Sequence, residues 1–140
     1  LHASLGGDII FDIDKSVSIH GDSGPYLQYS YARACSVLRK SPTQLRRGAE
    51  FARRGGGVLQ LERLLYRFPE VVLRAGKEYA PHYIASYLIE IAGAFNSWYA
   101  KERILDAGEE TPYRLALTEA FSIVMKNGLW LLGIAAPEKM

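Results

Sequence analysis

Residues 81–99 read PHYIASYLIEIAGAFNSWY and carry the longest uninterrupted helical pattern of the 140-residue chain. The large apolar side chains of this stretch recur at steps of four, three, four and three, at Ile84, Leu88, Ile91, Phe95 and Trp98. This spacing places them on one face of a helix, where they can be buried together. The stretch therefore predicts a long central helix, ending near residues 106–108, that forms the core of the domain.

A second helix is predicted N-terminal to this one, over residues 26–40. The sequence DSGP at residues 22–25 supplies a capping residue and a proline suited to a first helical turn. Neither Gly nor Pro interrupts residues 26–40, and their apolar positions recur at steps of three and four. We expect this helix to end near Ser41 and Pro42.

Further helices are predicted on either side of the central one. Residues 58–67 and 70–79 form a helical hairpin broken at Pro69, and residues 111–133 continue with helical periodicity. Residues 43–57 are rich in arginine and end in three glycines, which are costly in a helix interior. We therefore expect residues 43–57 to form a partly helical connection between the helices on either side.

The N-terminal segment differs from the rest of the chain. Residues 8–14 include β-branched residues and alternate apolar with acidic side chains, which favours a short strand or an extended arm. The predicted fold class is therefore all-α: a helical bundle over residues 23–140, with a short extended arm over residues 1–22.

Composition excludes several classes of protein. The only cysteine is Cys35, so no internal disulfide can form, and no Cys/His cluster has zinc-ligand spacing. No apolar run approaches the roughly 20 residues that span a bilayer. These features favour a cytoplasmic location without a membrane partner.

Charge is distributed unevenly along the chain. The whole sequence carries a net charge of +2, whereas residues 33–67 hold nine basic residues against two acidic ones. A concentrated basic stretch is typical of a protein with a polyanionic partner. A solvated helix face or a basic linker explains the same charge equally well, so both interpretations remain open at this point.

The aromatic residues suit recognition of unpaired bases. Nine tyrosines outnumber the five phenylalanines and two tryptophans, and a tyrosine combines a stacking face with a hydrogen-bonding tip. Tyr26, Tyr29 and Arg33 are spaced to share one face of the first helix. Packing between helices is the alternative for both tyrosines, and Trp98 and Trp130 are predicted to be core residues.

Ordered motifs resemble the C-terminal anticodon-binding (DALR-type) domain of arginyl-tRNA synthetases. They cover essentially the whole chain: GPYLQY at 24–29 with Ala32 and Arg33, FPEVV at 68–72, PH at 81–82 with YL at 87–88 and FN at 95–96, RLAL at 114–117, NGLWLLGI at 127–134 and APEKM at 136–140. Lys139 departs from the arginine common in the family. A lysine at this position keeps the positive charge but lacks the planar guanidinium group, which can form two parallel hydrogen bonds.

The resemblance implies a role in reading the anticodon of tRNA(Arg) as part of arginine–tRNA ligase, a class I aminoacyl-tRNA synthetase. The HIGH-like and KMSK-like motifs that bind ATP in this class are absent, so the chain is expected to lack the catalytic domain and, alone, to be inactive. The arm over residues 1–22 would lead from that missing domain. No cofactor is expected in this chain, whereas the full-length enzyme would use ATP and Mg.

The resemblance also suggests which side chains contact tRNA. They are Tyr26, Tyr29, Arg33, His82, Phe95, Tyr99, Lys139 and Met140. The partners implied are the tRNA(Arg) anticodon stem-loop and the catalytic domain of the same chain, and a monomer is expected. No nucleophile and base pairing indicates catalysis, and no metal site is expected. The alternative function is a helical protein-interaction domain that binds no RNA.

Overall fold

The computed structural model describes residues 12–14, 18, 23–41 and 59–140. From residue 23 onward, the described residues form a bundle of α-helices joined by short turns. The helices are α1 Gly24–Lys40, α2 Gln60–Tyr66, α3 Phe68–Lys77, α4 His82–Lys101 and α5 Thr111–Leu131, with a 3-10 turn over Gly108–Glu110. The predicted all-α helical bundle is confirmed.

Helix α1 ends where its sequence predicts and begins two residues before the predicted start, at Gly24. The hydroxyl of Ser23 accepts a hydrogen bond from the backbone N–H of Tyr26 at 3.2 Å, and Pro25 lies in the first turn. Both features suit a helix start, where the backbone N–H groups have no partners within the helix. Arg39 and Lys40 lie in the last turn, where cations interact favourably with the helix dipole.

Helix α4 is the central helix, as predicted, and it contacts each of the other four helices. Ile84, Leu88, Ile91 and Phe95 on its apolar face are all buried. The ring of Phe95 stacks on the ring of Phe121 in α5, with centroids 4.0 Å apart and an interplanar angle of 6°. This stack anchors the C-terminal half of α4, the half that carries Tyr99.

Helices α4 and α5 approach each other closely at Gly128. A Cβ atom at this position would lie 2.5 Å from Cδ2 of Leu88 on α4. That distance is well inside van der Waals contact, so a larger residue forces Leu88 or the helices to move. The absence of a side chain at Gly128 therefore leaves room for the Leu88 side chain between the two helices.

Helices α2 and α3 pack against α4 and correspond to the predicted hairpin, with ends shifted by at most two residues. Pro69 lies in the first turn of α3. The phenol of Tyr87 on α4 donates a hydrogen bond to the backbone oxygen of Leu64 at 2.8 Å. The same oxygen also accepts from the backbone N–H of Arg67 at 3.1 Å, so the bond from Tyr87 is a second one, and it ties the last turn of α2 to α4.

Helix α4 ends at Lys101, before the predicted end near residues 106–108. Beyond it, Ile104 is buried against Val37, Leu38 and Leu115 in a second, smaller apolar cluster. Burying Ile104 against α1 and α5 requires the chain to leave the axis of α4. The helical pattern read from the sequence therefore ends later than the helix itself.

Two further predictions differ from the structure. Trp130, predicted to be core, is 76% exposed and lies outside both clusters of buried residues. Together with Leu73 and Leu131 it lines a shallow apolar groove between α3 and α5. At the N-terminus, Ile13 and Asp14 are helical rather than extended, since alternation over so few residues does not fix a conformation.

The rest of the predicted arm and the predicted connection over residues 43–57 lie outside the described residues. Within the part of the chain that the structure describes, no helix is both long and apolar enough to cross a membrane.

Candidate nucleic-acid interface

A guanidinium group lies between two tyrosine rings where α1 faces the C-terminal half of α4. The Cζ atom of Arg33 is 4.7 Å from the ring centroid of Tyr29 and 5.1 Å from that of Tyr99. Nη2 of Arg33 also donates a hydrogen bond to the hydroxyl of Tyr29 at 3.2 Å. The two tyrosines are 37% and 39% exposed, so a ligand can reach both rings.

The amide of Asn96 on α4 holds this arginine in place. Nη1 of Arg33 donates to Oδ1 of Asn96 at 2.7 Å. Nδ2 of Asn96 donates to the hydroxyls of Tyr26 at 3.1 Å and Ser30 at 2.8 Å. Ser30 in turn donates to the backbone oxygen of Tyr26 at 2.9 Å. The position of the guanidinium is thus fixed by a hydrogen-bond network between α1 and α4.

After α5 the chain turns back towards α1. Gly133 has a φ of 71°, and the N–H of Ile134 donates to the carbonyl of Leu129 at 2.9 Å, which closes the C-terminus of the helix. Nε2 of Gln28 on α1 donates to the backbone oxygen of Ala135 at 2.8 Å. The tail is therefore docked on the bundle at Ala135.

Helix α1, the end of α4 and the tail enclose an open concavity of about 440 Å³. Its charged side chains are the cations Arg33, Arg39 and Lys139 and the carboxylate Glu138. The other lining residues are Tyr29, Ala32, Ser36, Tyr99 and Met140. A cationic concavity with exposed aromatic faces suits a polyanion with unstacked rings, as in a single-stranded nucleic-acid loop.

The structure brings most of the predicted site residues together. Five of them line this one concavity: Tyr29, Arg33, Tyr99, Lys139 and Met140. Tyr26 is half-buried and joins the group through its hydrogen bond with Asn96.

Phe95 does not belong to the accessible surface, which corrects the prediction that it contacts the anticodon loop. Its side chain is 0% exposed and stacks on Phe121, so no base can reach either face of the ring. The ring centroid of Phe95 lies 6.1 Å from that of Tyr99. Phe95 therefore supports Tyr99 from within the core.

His82 is remote from the concavity. It is the first residue of α4, whereas Tyr99 lies near the helix end. At 1.5 Å per residue, the two positions are about 25 Å apart along the axis. His82 instead lies beside Tyr83, with ring centroids 4.3 Å apart, and its Nδ1 is buried without a hydrogen-bond partner among the described residues.

Sequence reasoning missed three residues of the site: Gln28, Arg39 and Asn96. Gln28 and Asn96 fall inside the quoted motifs, but their roles depend on how α1 crosses α4 and on where the tail returns. Arg39 belongs to the basic stretch, and its position on α1, six residues after Arg33, could have been weighed as a second cation.

A separate cation–aromatic cluster lies near the start of α4. The Cζ atom of Arg74 is 4.2 Å from the ring centroid of Tyr83, and its Nε donates to Glu78 at 2.9 Å. The hydrogen bond from Tyr83, followed by the bond from Arg74, lowers the pKa of the Glu78 carboxyl. The hydrogen bond to Glu78 raises the pKa of Arg74. This cation is paired with a carboxylate, unlike Arg33, whose partners in the concavity are neutral.

No group of three or more His, Cys, Asp or Glu side chains that could hold a metal ion occurs within residues 12–14, 18, 23–41 and 59–140.

Comparison with known proteins gives consistent matches. An arginine–tRNA ligase of Streptococcus pneumoniae is 40% identical over 130 residues, which are 93% of this chain and 23% of that protein. An arginyl-tRNA synthetase structure from Thermus thermophilus superposes with a TM-score of 0.69 at 35% identity, over 88% of this chain and 22% of that one.

A third comparison supports the fold alone. An arginyl-tRNA synthetase structure from Plasmodium falciparum has a TM-score of 0.86 at 24% identity, covering 99% of this chain and 25% of that one. The chain thus spans about a quarter of the length of these relatives. Residues 27–140 match the family described as the DALR anticodon binding domain. Because that match covers most of the sequence, the chain belongs to the DALR anticodon-binding domain family.

Proposed function

We propose that this chain binds the anticodon stem-loop of tRNA(Arg), as the anticodon-binding part of an arginine–tRNA ligase. The observation that carries the proposal is the placement of Arg33 between the exposed rings of Tyr29 and Tyr99, within a concavity that also holds Arg39 and Lys139. The names of the relatives support arginine as the amino acid, and the aromatic and cationic lining of the concavity supports an RNA loop as the ligand.

The chemistry of the concavity fits an anticodon loop. The bases of such a loop are unpaired and splayed, so they can stack on Tyr29 and Tyr99. Each base stacked on an aromatic side chain contributes about 1–3 kcal/mol to binding. Arg39 and Lys139 can neutralise the phosphates that connect those bases. Stacking and charge together account for the two tyrosines and the three cations that line the surface.

The tail extends this surface. Met140 is 64% exposed at the rim of the concavity, and its thioether is polarizable enough to pack against a base or against the ring of Tyr99. Lys139 adds a cation on the same segment. We propose that both residues contact the anticodon loop, and we assign His82 and Phe95 no contact there.

The proposed whole enzyme contains more than this chain. Since the relatives are about four times longer, we propose that a catalytic domain in the same polypeptide activates arginine with ATP and Mg and transfers it to the tRNA. The 140 residues alone would not charge tRNA. We propose a cytoplasmic location and a monomeric protein. The alternative of a protein-interaction domain without RNA binding is not favoured by the family match.

A salt series of tRNA binding tests the proposal. The chain and an arginine anticodon stem-loop are titrated by fluorescence anisotropy, with Arg33→Glu compared against the matched charge reversal Arg63→Glu. Arg63 is exposed on α2 and does not line the concavity. We expect affinity to fall steeply with salt, because phosphate contacts release counterions.

Arg33→Glu should weaken binding more than tenfold, and Arg63→Glu less than threefold. If both variants are folded and lose the same amount of affinity, the stem-loop does not bind at the concavity. Salt-independent binding, or none, would contradict RNA recognition altogether.

A further inference from the structure

The hydrogen bonds around Arg33 have a direction that follows from the chemistry of their partners. A guanidinium only donates, so the atom of Asn96 that faces Nη1 of Arg33 at 2.7 Å is the amide oxygen. The amide nitrogen therefore faces Tyr26 and Ser30, and both hydroxyls accept from it. The orientation of this side-chain amide is fixed by the arginine.

This direction decides what the two tyrosines present to a ligand. The hydroxyl of Tyr26 accepts from Asn96, and that of Tyr29 accepts from Arg33. No described residue takes the hydroxyl hydrogen of either tyrosine. Both hydroxyls can therefore act as donors to a bound molecule, alongside the N–H groups of Arg33 that do not bond to Asn96 or Tyr29.

We propose that Asn96 is a positioning residue, and that it makes the surface formed by Tyr26, Tyr29 and Arg33 a hydrogen-bond donor. Its amide oxygen fixes Arg33 between the tyrosine rings, and its amide nitrogen donates to the hydroxyl of Tyr26, while the fixed Arg33 donates to that of Tyr29. Both hydroxyl oxygens therefore accept hydrogen bonds within the protein, and the RNA group bound here is one that accepts hydrogen bonds. A base carbonyl or ring nitrogen and a phosphate oxygen share that chemistry. The inference rests on the proposed function and adds the polarity of its contacts.

Asn96→Asp reverses the polarity with almost no change of shape. The new carboxylate still accepts from Arg33, but it cannot donate, so the hydroxyls of Tyr26 and Ser30 must turn their hydrogens towards it. Tyr26 then no longer offers a hydrogen to the RNA. Ser97→Asp is the matched control, because Ser97 is exposed at the next position of α4. An aspartate there adds the same charge outside the hydrogen-bond network.

The probe is the arginine anticodon stem-loop, and the 140-residue chain is titrated with it at fixed salt. We expect Asn96→Asp to bind about tenfold more weakly than Ser97→Asp, since one hydrogen bond to RNA is lost and a carboxylate lies nearer the site. Tyr26→Phe should lower the affinity for the stem-loop about fivefold in the unsubstituted chain, and less than twofold in the chain that already carries Asn96→Asp. That non-additivity is the signature of a shared hydrogen bond.

The outcomes separate the two proposals. If the unsubstituted chain does not bind the stem-loop, the proposed function fails and this inference falls with it. If the chain binds but Asn96→Asp matches Ser97→Asp, and Tyr26→Phe is additive, only the inference is overturned. A Tyr26→Phe variant that melts earlier yet binds with full affinity also overturns it, even if Asn96→Asp does not fold.

The same variants identify the acceptor. If the effect of Tyr26→Phe disappears when the anticodon bases are changed, the acceptor is a base edge. If the effect is the same for every anticodon and shrinks with salt, the acceptor is a phosphate oxygen. Either result supports a donor surface.

Discussion

Replacing Phe95 by alanine should destabilise the bundle strongly, because the corrected role of Phe95 is structural. Its side chain is 0% exposed and stacks on Phe121 at 4.0 Å between centroids. Truncating a fully buried phenylalanine costs about 3–5 kcal/mol, from lost burial and the cavity left behind. For a chain of this size, that loss lowers the melting temperature by roughly 10–20 °C.

Tyr99→Ala is the matched comparison on the same helix, one turn away. Because Tyr99 is 39% exposed, its truncation should cost only on the order of 1–2 kcal/mol of stability. Its effect should instead appear in stem-loop affinity, through the loss of a stacking surface worth about 1–3 kcal/mol. Thermal unfolding followed by circular dichroism, with anisotropy below both melting temperatures, measures the two effects separately.

The expected pattern is a division of roles between neighbouring aromatic residues. If Phe95→Ala melts within about 3 °C of the unsubstituted chain, the burial argument fails, since no relaxation recovers that much of the loss. If Phe95→Ala is the variant that retains stability and loses RNA affinity, the original assignment of Phe95 to the contact surface is restored. Phe95→Leu, which keeps an apolar side chain in the core and should lose less stability than the alanine variant, serves if the alanine variant does not fold.

Other substitutions test separate parts of the account. Ser23→Ala should cost about 1 kcal/mol in urea denaturation, because it removes the hydroxyl that caps α1, and no loss would show that the cap is not formed. Gly128→Ala should destabilise by about 1–3 kcal/mol, despite the higher helix propensity of alanine, because its Cβ meets Leu88 at 2.5 Å; a stabilised variant would show that the helices readjust freely. Deleting Lys139 and Met140 should reduce stem-loop affinity while changing the melting temperature little, and unchanged affinity would remove the tail from the site.

Much of the fold could be predicted because its signals are local. The spacing of Ile84, Leu88, Ile91 and Phe95 depends only on helix geometry, and so it correctly indicates the buried face of α4. The start of α1 at Ser23 depends on a capping hydroxyl and a nearby proline, which are also local.

The errors arise where a residue's environment is set by distant parts of the chain. Phe95 and Tyr99 are four residues apart and share a helix face, yet only Phe95 meets the ring of Phe121. Nothing in residues 81–99 reveals which of the two is covered. Trp130 looks like a core residue in an apolar helix, but it lies in the open groove between α3 and α5 and remains 76% exposed.

The residues of the candidate site were predicted better than the hydrogen-bond network that connects them. The aromatic and basic residues follow from residue type and from family motifs. The role of Asn96, in contrast, requires α1 and α4 to cross so that its amide meets Arg33 at 2.7 Å. That juxtaposition links positions 63 residues apart, and no local pattern encodes it.

The most direct test of the central claim is a comparison of two RNA ligands. The chain is titrated with tRNA(Arg) and with the same tRNA carrying a changed anticodon, at one salt concentration. Recognition through the concavity of Tyr29, Arg33 and Tyr99 predicts at least tenfold tighter binding of the unaltered tRNA, and loss of that preference in Tyr99→Ala. Equal affinity for both tRNAs would show that the chain does not read the anticodon, and it would contradict the account.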